Sequence, residues 1–247
     1  MIFHSDNSHK DSGLQYLCGV SDSMNILWVA ATAKEVSLSG LADPAGDGYF
    51  PEAVGAGESL LVTGVGMVAT AFSLGQILSK RPVDLVVNFG LAGSMSATIH
   101  PGDLVEVTEE EFGDLGADDR GSFLDVFQLG LVEAGQKPFS GNSLMPLRLD
   151  GLETGLRKVK GTTVNTVHGE QSSIAAFKSR SSAEVESMEG AAVFYACGML
   201  EIPCVQIRAI SNYVEPRDRS NWKIGEAMQA LADYLPALRS QITKLYS

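Results

Sequence analysis

Six short runs of residues, apolar at consecutive rather than alternate positions, constrain this chain more than any other feature. They fall at 26–31, 59–63, 85–89, 104–108, 162–167 and 204–210. A strand apolar on both sides has to be covered on both faces, as in a sheet with helices above and below. Between the runs lie 67–80, 171–179, 188–200 and 226–246, where apolar residues recur near the helical period. This alternation predicts an α/β fold of three layers, α/β/α, around a mixed, largely parallel central sheet. Residues 114–149 are less regular and read as an excursion over the edge of the sheet. In open sheets of this kind ligands bind beyond the carboxyl ends of the strands, so chemistry is to be sought in the segments that follow them.

The chain has 247 residues, 45% hydrophobic and 19% charged, which excludes general disorder and supports a core without disulfides. One domain is expected over residues 24–247. Residues 1–23 read as a loose extension, with no basic start leading into an apolar core and hence no signal peptide. The net charge of −12 repels a phosphate backbone, so no nucleic acid is expected as a partner. The longest strongly apolar stretch, 190–200, is too short to span a bilayer, so no membrane is expected either. Cys18, Cys197 and Cys204 lack metal-ligand spacing, as do His4, His9, His100 and His168. No metal is expected, and the thiols read as reduced, cytoplasmic residues, Cys197 and Cys204 as small buried hydrophobes.

Five segments at strand ends carry candidate chemistry. Gly64-Val65-Gly66-Met67-Val68-Ala69 follows a strand and opens a helix, with Asp84 twenty residues beyond the first glycine. That is the outline of a dinucleotide-binding turn, but Asp84 precedes a strand where the ribose-binding acid should end one. A plain tight turn, or a cradle for a small anion or a sugar, stays open. Asn88-Phe89-Gly90-Leu91-Ala92-Gly93-Ser94 ends the most apolar run, and its glycines admit a flat ligand close to the backbone. An unliganded strand-to-loop turn is the other reading. Glu186-Ser187-Met188-Glu189-Gly190-Ala191-Ala192 leads into an apolar helix, whose dipole an acid would complement. Glu189 has apolar neighbours, however, and a buried carboxylate needs donors of the kind sugar hydroxyls supply. The run from Val205 to Tyr213 delivers Arg208, Ser211 and Asn212 at a strand's carboxyl end. Finally, Ala30-Ala31-Thr32-Ala33-Lys34-Glu35-Val36 reads as the loop after the first strand, offering Glu35 as a base or as an exposed salt-bridging residue.

Taken in chain order, these segments resemble the purine nucleoside phosphorylase and nucleosidase superfamily over roughly residues 24–246. Longer strings are similar to those of its futalosine hydrolase family: Val107-Thr108-Glu109-Glu110-Glu111-Phe112-Gly113-Asp114-Leu115-Gly116-Ala117, Thr163-Val164-Asn165-Thr166-Val167-His168-Gly169 and Ile210-Ser211-Asn212-Tyr213-Val214-Glu215-Pro216-Arg217. The resemblance implies a nucleoside phosphorylase-like fold, a small-molecule nucleoside substrate, no cofactor and a homo-oligomer, dimer or larger. It implies hydrolysis of the N-glycosidic bond of futalosine to hypoxanthine and dehypoxanthine futalosine, a step of menaquinone biosynthesis. By the same resemblance Glu35 activates water and Asn212 assists the departing base. Met188 and Glu189 grip the ribose, and Gly90, Leu91 and Ala92 flank sugar and base. Arg208 and Ser211 join the substrate-binding set. Asn212 and Leu91 depart from methylthioadenosine nucleosidases, which have an aspartate and usually a serine there.

Chemistry gives Asn212 its interest. Hypoxanthine presents O6 and N7, two acceptors side by side, which an ionised aspartate would repel and a carboxamide NH₂ can serve. Other readings remain: a methylthioadenosine/S-adenosylhomocysteine or aminofutalosine nucleosidase, a purine nucleoside phosphorylase, or a non-catalytic nucleoside-binding protein. A phosphorylase needs cations or backbone donors around phosphate, and here Lys34 has the anionic Glu35 beside it. A mere binder is expected to lose Glu35 or Asn212, and both are present.

Overall fold

The computed structural model describes residues 24–42 and 51–246. The expected extension at 1–23, with Cys18, His4 and His9, lies outside the described residues. In chain order the strands are β1 (Ile26–Ala30), β2 (Glu52–Gly55), β3 (Glu58–Val62), β4 (Leu85–Ser94), β5 (Leu104–Phe112), β6 (Gly116–Asp119), β7 (Ser122–Asp125), β8 (Phe139–Ser140), β9 (Ser143–Leu144), β10 (Arg157–Thr163), β11 (Val185–Ser187) and β12 (Cys204–Tyr213). The helices are α1 (Ala33–Ser39), α2 (Met67–Leu78), α3 (Gln171–Lys178), α4 (Gly190–Leu200) and α5 (Ile224–Leu245).

Every residue of β1 is buried, because its two faces meet different helices. Ile26, Trp28 and Ala30 pack with Val36 of α1 and with Met228, Leu231, Leu235 and Leu238 of α5. Leu27 and Val29 pack with Leu74 and Ile77 of α2 and with Val193 and Phe194 of α4. The three expected layers are therefore present. Helix α4 is apolar on nearly all sides and lies inside; at eleven residues it is about 16 Å long. No helix among the described residues is long and apolar enough to cross a membrane.

The long ladders β1–β3, β1–β4, β4–β12 and β5–β10 are parallel, whereas β12–β5, β4–β11 and the β2–β3, β5–β9 and β8–β9 pairings are antiparallel. Pairing also closes on itself: β4 meets β11, β11 meets β10, β10 meets β5, β5 meets β12 and β12 returns to β4. This ring encloses its own small core of Ala92, Ile99, Val105, Val107, Val159, Val185 and Ile210. The irregular region forms two hairpins, β6–β7 as a separate ribbon and β8–β9 at the sheet edge against β5.

Several expected bounds shift for physical reasons. The strand expected at 162–167 is instead β10 and ends at Thr163. Its polar start, Arg157-Lys158-Val159-Lys160, is a strand because β5 presents acids to it: Lys160 Nζ lies 3.2 Å from Glu109 and 2.9 Å from Glu111. The expected turn at Gly90-Leu91-Ala92 is the second half of β4, which runs on from β1 into the ring. The expected loop holding Glu35 is helix α1.

Candidate active site

A cleft of about 370 Å³ opens at the carboxyl ends of β1, β4 and β12 and beside β11. Glu35, Leu91, Ala92, Met188, Glu189, Ser211 and Asn212 all line it, drawn from distant parts of the chain. Gly90 and Arg208 do not line it but lie directly beneath.

Glu35 is held by the start of its own helix. Thr32 is the N-cap of α1, and Glu35 is the third helical residue, so the two form a capping box. The Thr32 N–H and hydroxyl both donate to Glu35 Oε2, at 3.0 and 2.9 Å, while Thr32 Oγ1 accepts from the Glu35 N–H at 3.2 Å. On the other oxygen, Leu91 N–H donates to Oε1 at 3.2 Å. A Cβ on Gly90 would stand 2.8 Å from that oxygen and 2.7 Å from Arg208 Nη1, so only glycine lets the acid and the guanidinium approach β4 here.

Glu189 is 7% exposed and is the N-cap of α4, but its side chain does not cap that helix. It reaches across to α2, whose N-cap Gly66 donates its N–H to Glu189 Oε1 at 3.0 Å. Gly64 and Gly66 have φ of 85° and 92°, which explains both glycines of the turn. The turn's anion is thus Glu189 itself. Asp84 lies at the other end of the sheet, accepting from Asn25 N–H at 2.7 Å, so the dinucleotide outline is coincidental. Burial pushes the Glu189 carboxyl above its ordinary range, Arg208 pulls it down, and Glu35 adds to the upward push.

At the far wall, the β4–β12 ladder shifts register between Ile210 and Asn212, and this irregularity turns Asn212 into the cleft opposite Gly93. Asn212 Oδ1 accepts from Ser211 Oγ at 2.7 Å and Nδ2 donates to Tyr213 O at 2.8 Å. One Nδ2 hydrogen is left over. Arg208, 2% exposed, donates from Nη2 to Asn88 Oδ1 at 2.7 Å and to Gln206 Oε1 at 3.1 Å. Its Nε has no partner among the described residues.

Several lining groups escaped the reading of the sequence as site residues, Thr32 and Glu186 among them. Thr32 was signalled, since Thr-x-x-Glu before an apolar run is the capping-box pattern. Glu186, 4% exposed, gave no such signal; it accepts from the backbone and ring of His168, and burial raises its carboxyl against that partner. Arg217 also lines the cleft, its guanidinium 5.3 Å from the Trp222 ring centroid. Cys197 on α4 and Cys204 at the start of β12 are both buried, and the neighbouring sulfur together with burial pushes the Cys204 thiol up, leaving it inert. Among the described residues no group of three or more His, Cys, Asp or Glu is placed to hold a metal ion.

The chain matches the model of the phosphorylase superfamily over residues 41–244. It is 36% identical over 184 residues to the futalosine hydrolase of Streptomyces coelicolor, an alignment covering 72% of this chain and 76% of that one. With the futalosine hydrolase of Acidothermus cellulolyticus the identity is 32% over 221 residues, covering 85% and 87%. Among solved structures, the fold is similar to a 5′-methylthioadenosine/S-adenosylhomocysteine nucleosidase of Colwellia psychrerythraea in complex with adenine (TM-score 0.70, 23% identity, 89% and 96% covered). It is also similar to the futalosine hydrolase of Helicobacter pylori (TM-score 0.68, 16% identity, 88% and 98% covered). With a cleft of this make-up on such a fold, and relatives of this identity over most of both chains, the chain belongs to the phosphorylase superfamily and, within it, to the futalosine hydrolase family.

Proposed function

We propose that the protein hydrolyses the N9–C1′ bond of futalosine, releasing hypoxanthine and dehypoxanthine futalosine. The observation that carries this reading is the meeting of Glu35, Glu189 and Asn212 in one cleft, each already oriented by backbone or side-chain hydrogen bonds. Water attacks C1′ as the bond to N9 breaks through an oxocarbenium-like transition state. Glu35 takes the water's proton, and its fixed carboxylate aims the nucleophile without reorganisation. Glu189, with Met188 beside it, receives the ribose hydroxyls. Its bond from Gly66 leaves acceptor capacity toward the cleft. Asn212 donates its remaining amide hydrogen to the N7–O6 edge, where charge grows on the departing base. Nothing in these roles calls for a metal or cofactor.

Hydrolysis is favoured over phosphorolysis by the placing of Glu35, which would set an anionic base against an anionic nucleophile. Residues 24–247 act as one catalytic unit in the cytoplasm, where the buried thiols stay reduced. We also infer a homo-oligomer. Val65 just before α2, Val68 and Phe72 on it, and Tyr195 and Met199 of the neighbouring α4 are 38–79% exposed and form an apolar face suited to a second copy. Light scattering on the purified protein reads the assembly directly.

The reaction is tested by chromatography of the base released from futalosine, aminofutalosine, methylthioadenosine and inosine, with and without phosphate. Hypoxanthine from futalosine, independent of phosphate, is the expected result. Adenine release would overturn the role of Asn212, and strict phosphate dependence would overturn that of Glu35.

A further inference from the structure

One chain of buried polar side chains runs through the interior and ends beneath the cleft without lining it. Glu110 of β5, Gln206 and Arg208 of β12 and Asn88 of β4 are each 2% exposed or less. Thr163 Oγ1 donates to Glu110 Oε2 at 3.0 Å and Gln206 Nε2 donates to Glu110 Oε1 at 2.8 Å. Gln206 then turns its Oε1 to Arg208 Nη2, 3.1 Å away, and the same Nη2 donates to Asn88 Oδ1. Space for the chain is made by missing Cβ atoms. A Cβ on Gly161 would stand 2.7 Å from Glu110 Oε1, one on Gly190 would collide with Glu110 and Gln206, and one on Gly90 would meet Arg208. Three glycines on three elements serve this one network.

The direction of the Gln206 carboxamide is decided by its neighbour. An ionised Glu110 only accepts, so Gln206 must point its NH₂ that way and its carbonyl toward the guanidinium. Arg208 is in turn the cation that favours ionisation of Glu189. We propose that Glu110 is a positioning residue for the hydrolytic site: through Gln206 it fixes the Arg208 guanidinium beneath Glu35 and Glu189. This rests on the assignment of those two acids as the working groups of the cleft.

Glu110 sits where such a relay responds to pH. Burial pushes its carboxyl up to about 7, against the bonds from Gln206 and Thr163 and the charge of Arg208. The groups facing it are few. Among the described residues they are Gln206 and Arg208 from β12, the Thr163 hydroxyl and Gly161 from β10, Leu144 from β9 and Gly190 from α4. Glu111, next along β5, is the other charge. Below about pH 7 the carboxyl carries a proton and is no longer a fixed pair of acceptors, so its constraint on the direction of the Gln206 carboxamide, and with it the hold on Arg208, loosens.

The test compares Glu110→Gln and Gln206→Leu with the wild-type enzyme, reading kcat and KM for futalosine between pH 5 and 9. Expected for wild type is a fall in kcat as pH drops through about 7. In both variants kcat should be lower at pH 8 by roughly 5–30-fold, with KM within about twofold, and the inflection near pH 7 should be gone. Gln206→Leu keeps the titrating carboxyl, so loss of the inflection there identifies the relay rather than the charge. Melting temperatures give a reading free of catalysis. A carboxyl raised by burial stabilises the fold less as pH rises from about 4.5 to about 7, so Glu110→Gln should melt above wild type at pH 8 and converge with it at pH 5. Variants that fold and keep the wild-type pH profile would overturn the relay while leaving the hydrolase reading intact. A wild-type enzyme that cleaves none of the nucleosides would overturn both.

Discussion

Two centres that join a buried glutamate to an arginine lie at opposite ends of the sheet, and they are built differently. At the amino end of the parallel strands, Glu58 accepts from Trp28 Nε1 at 2.8 Å and from Arg239 Nε at 2.9 Å, and Arg239 Nη2 donates to Val54 O at 3.2 Å. Each of these polar groups has a partner, and Arg239 keeps contact with solvent. Under the cleft, Arg208 is 2% exposed, with an Nε that has no partner among the described residues, and its neighbours include Glu110, raised by burial to about 7, and Glu189, also raised. The first centre ties β1, β3 and α5 together. The second retains unspent electrostatic capacity within reach of a ligand, which is where perturbed acids do chemistry.

The contrast can be broken from either end. The largest effect is expected from Glu35→Gln, which should still fold and lose roughly 10²–10⁴ in kcat. Turnover at the wild-type rate would remove Glu35 as the base. Next comes Asn212→Asp, which should move preference from futalosine toward aminofutalosine by about 1–3 kcal/mol in the ratio of kcat/KM values. An unchanged ratio means that another group reads the base edge. At the opposite end of the sheet, Glu58→Ala should cost about 1–3 kcal/mol of stability in urea unfolding, by leaving the buried Trp28 N–H unpaired, with kcat unchanged. A change in kcat would join the two centres that the structure keeps apart. Smallest is Thr32→Ala, expected to cost about 1 kcal/mol of stability as a lost cap. Because the same hydroxyl donates to Glu35, kcat should fall more than stability alone explains.

Regions of uniform burial were legible in the chain and regions of mixed environment were not. The apolar runs at 26–31, 85–89 and 204–210 each became part of a buried strand, since burial on both faces writes itself as consecutive apolar residues. Strand β11 has only Val185, Glu186 and Ser187, too short to show a period, and β10 opens on polar residues matched by acids on another strand. Helix α1 looked like a loop because seven residues carry little periodicity, although its Thr32–Glu35 cap was written plainly. Among the site residues, those at strand ends and helix starts were visible, since chain geometry sends such positions to the ligand side of the sheet. Arg208 was visible as a polar residue in an apolar run, but not its depth beneath the cleft.

Local sequence alone therefore determined the layers and the end of the sheet at which Glu35, Glu189 and Asn212 were to be sought as candidates. Such features follow from backbone geometry and from burial along one segment. Tertiary structure alone decided that Gly66 serves Glu189, that the strand ring closes, and that Glu110 reaches Arg208 through Gln206. Each of these joins residues far apart in the chain. Hydrogen bonds and Coulomb forces act over a few ångströms, and only folding brings such groups within that range.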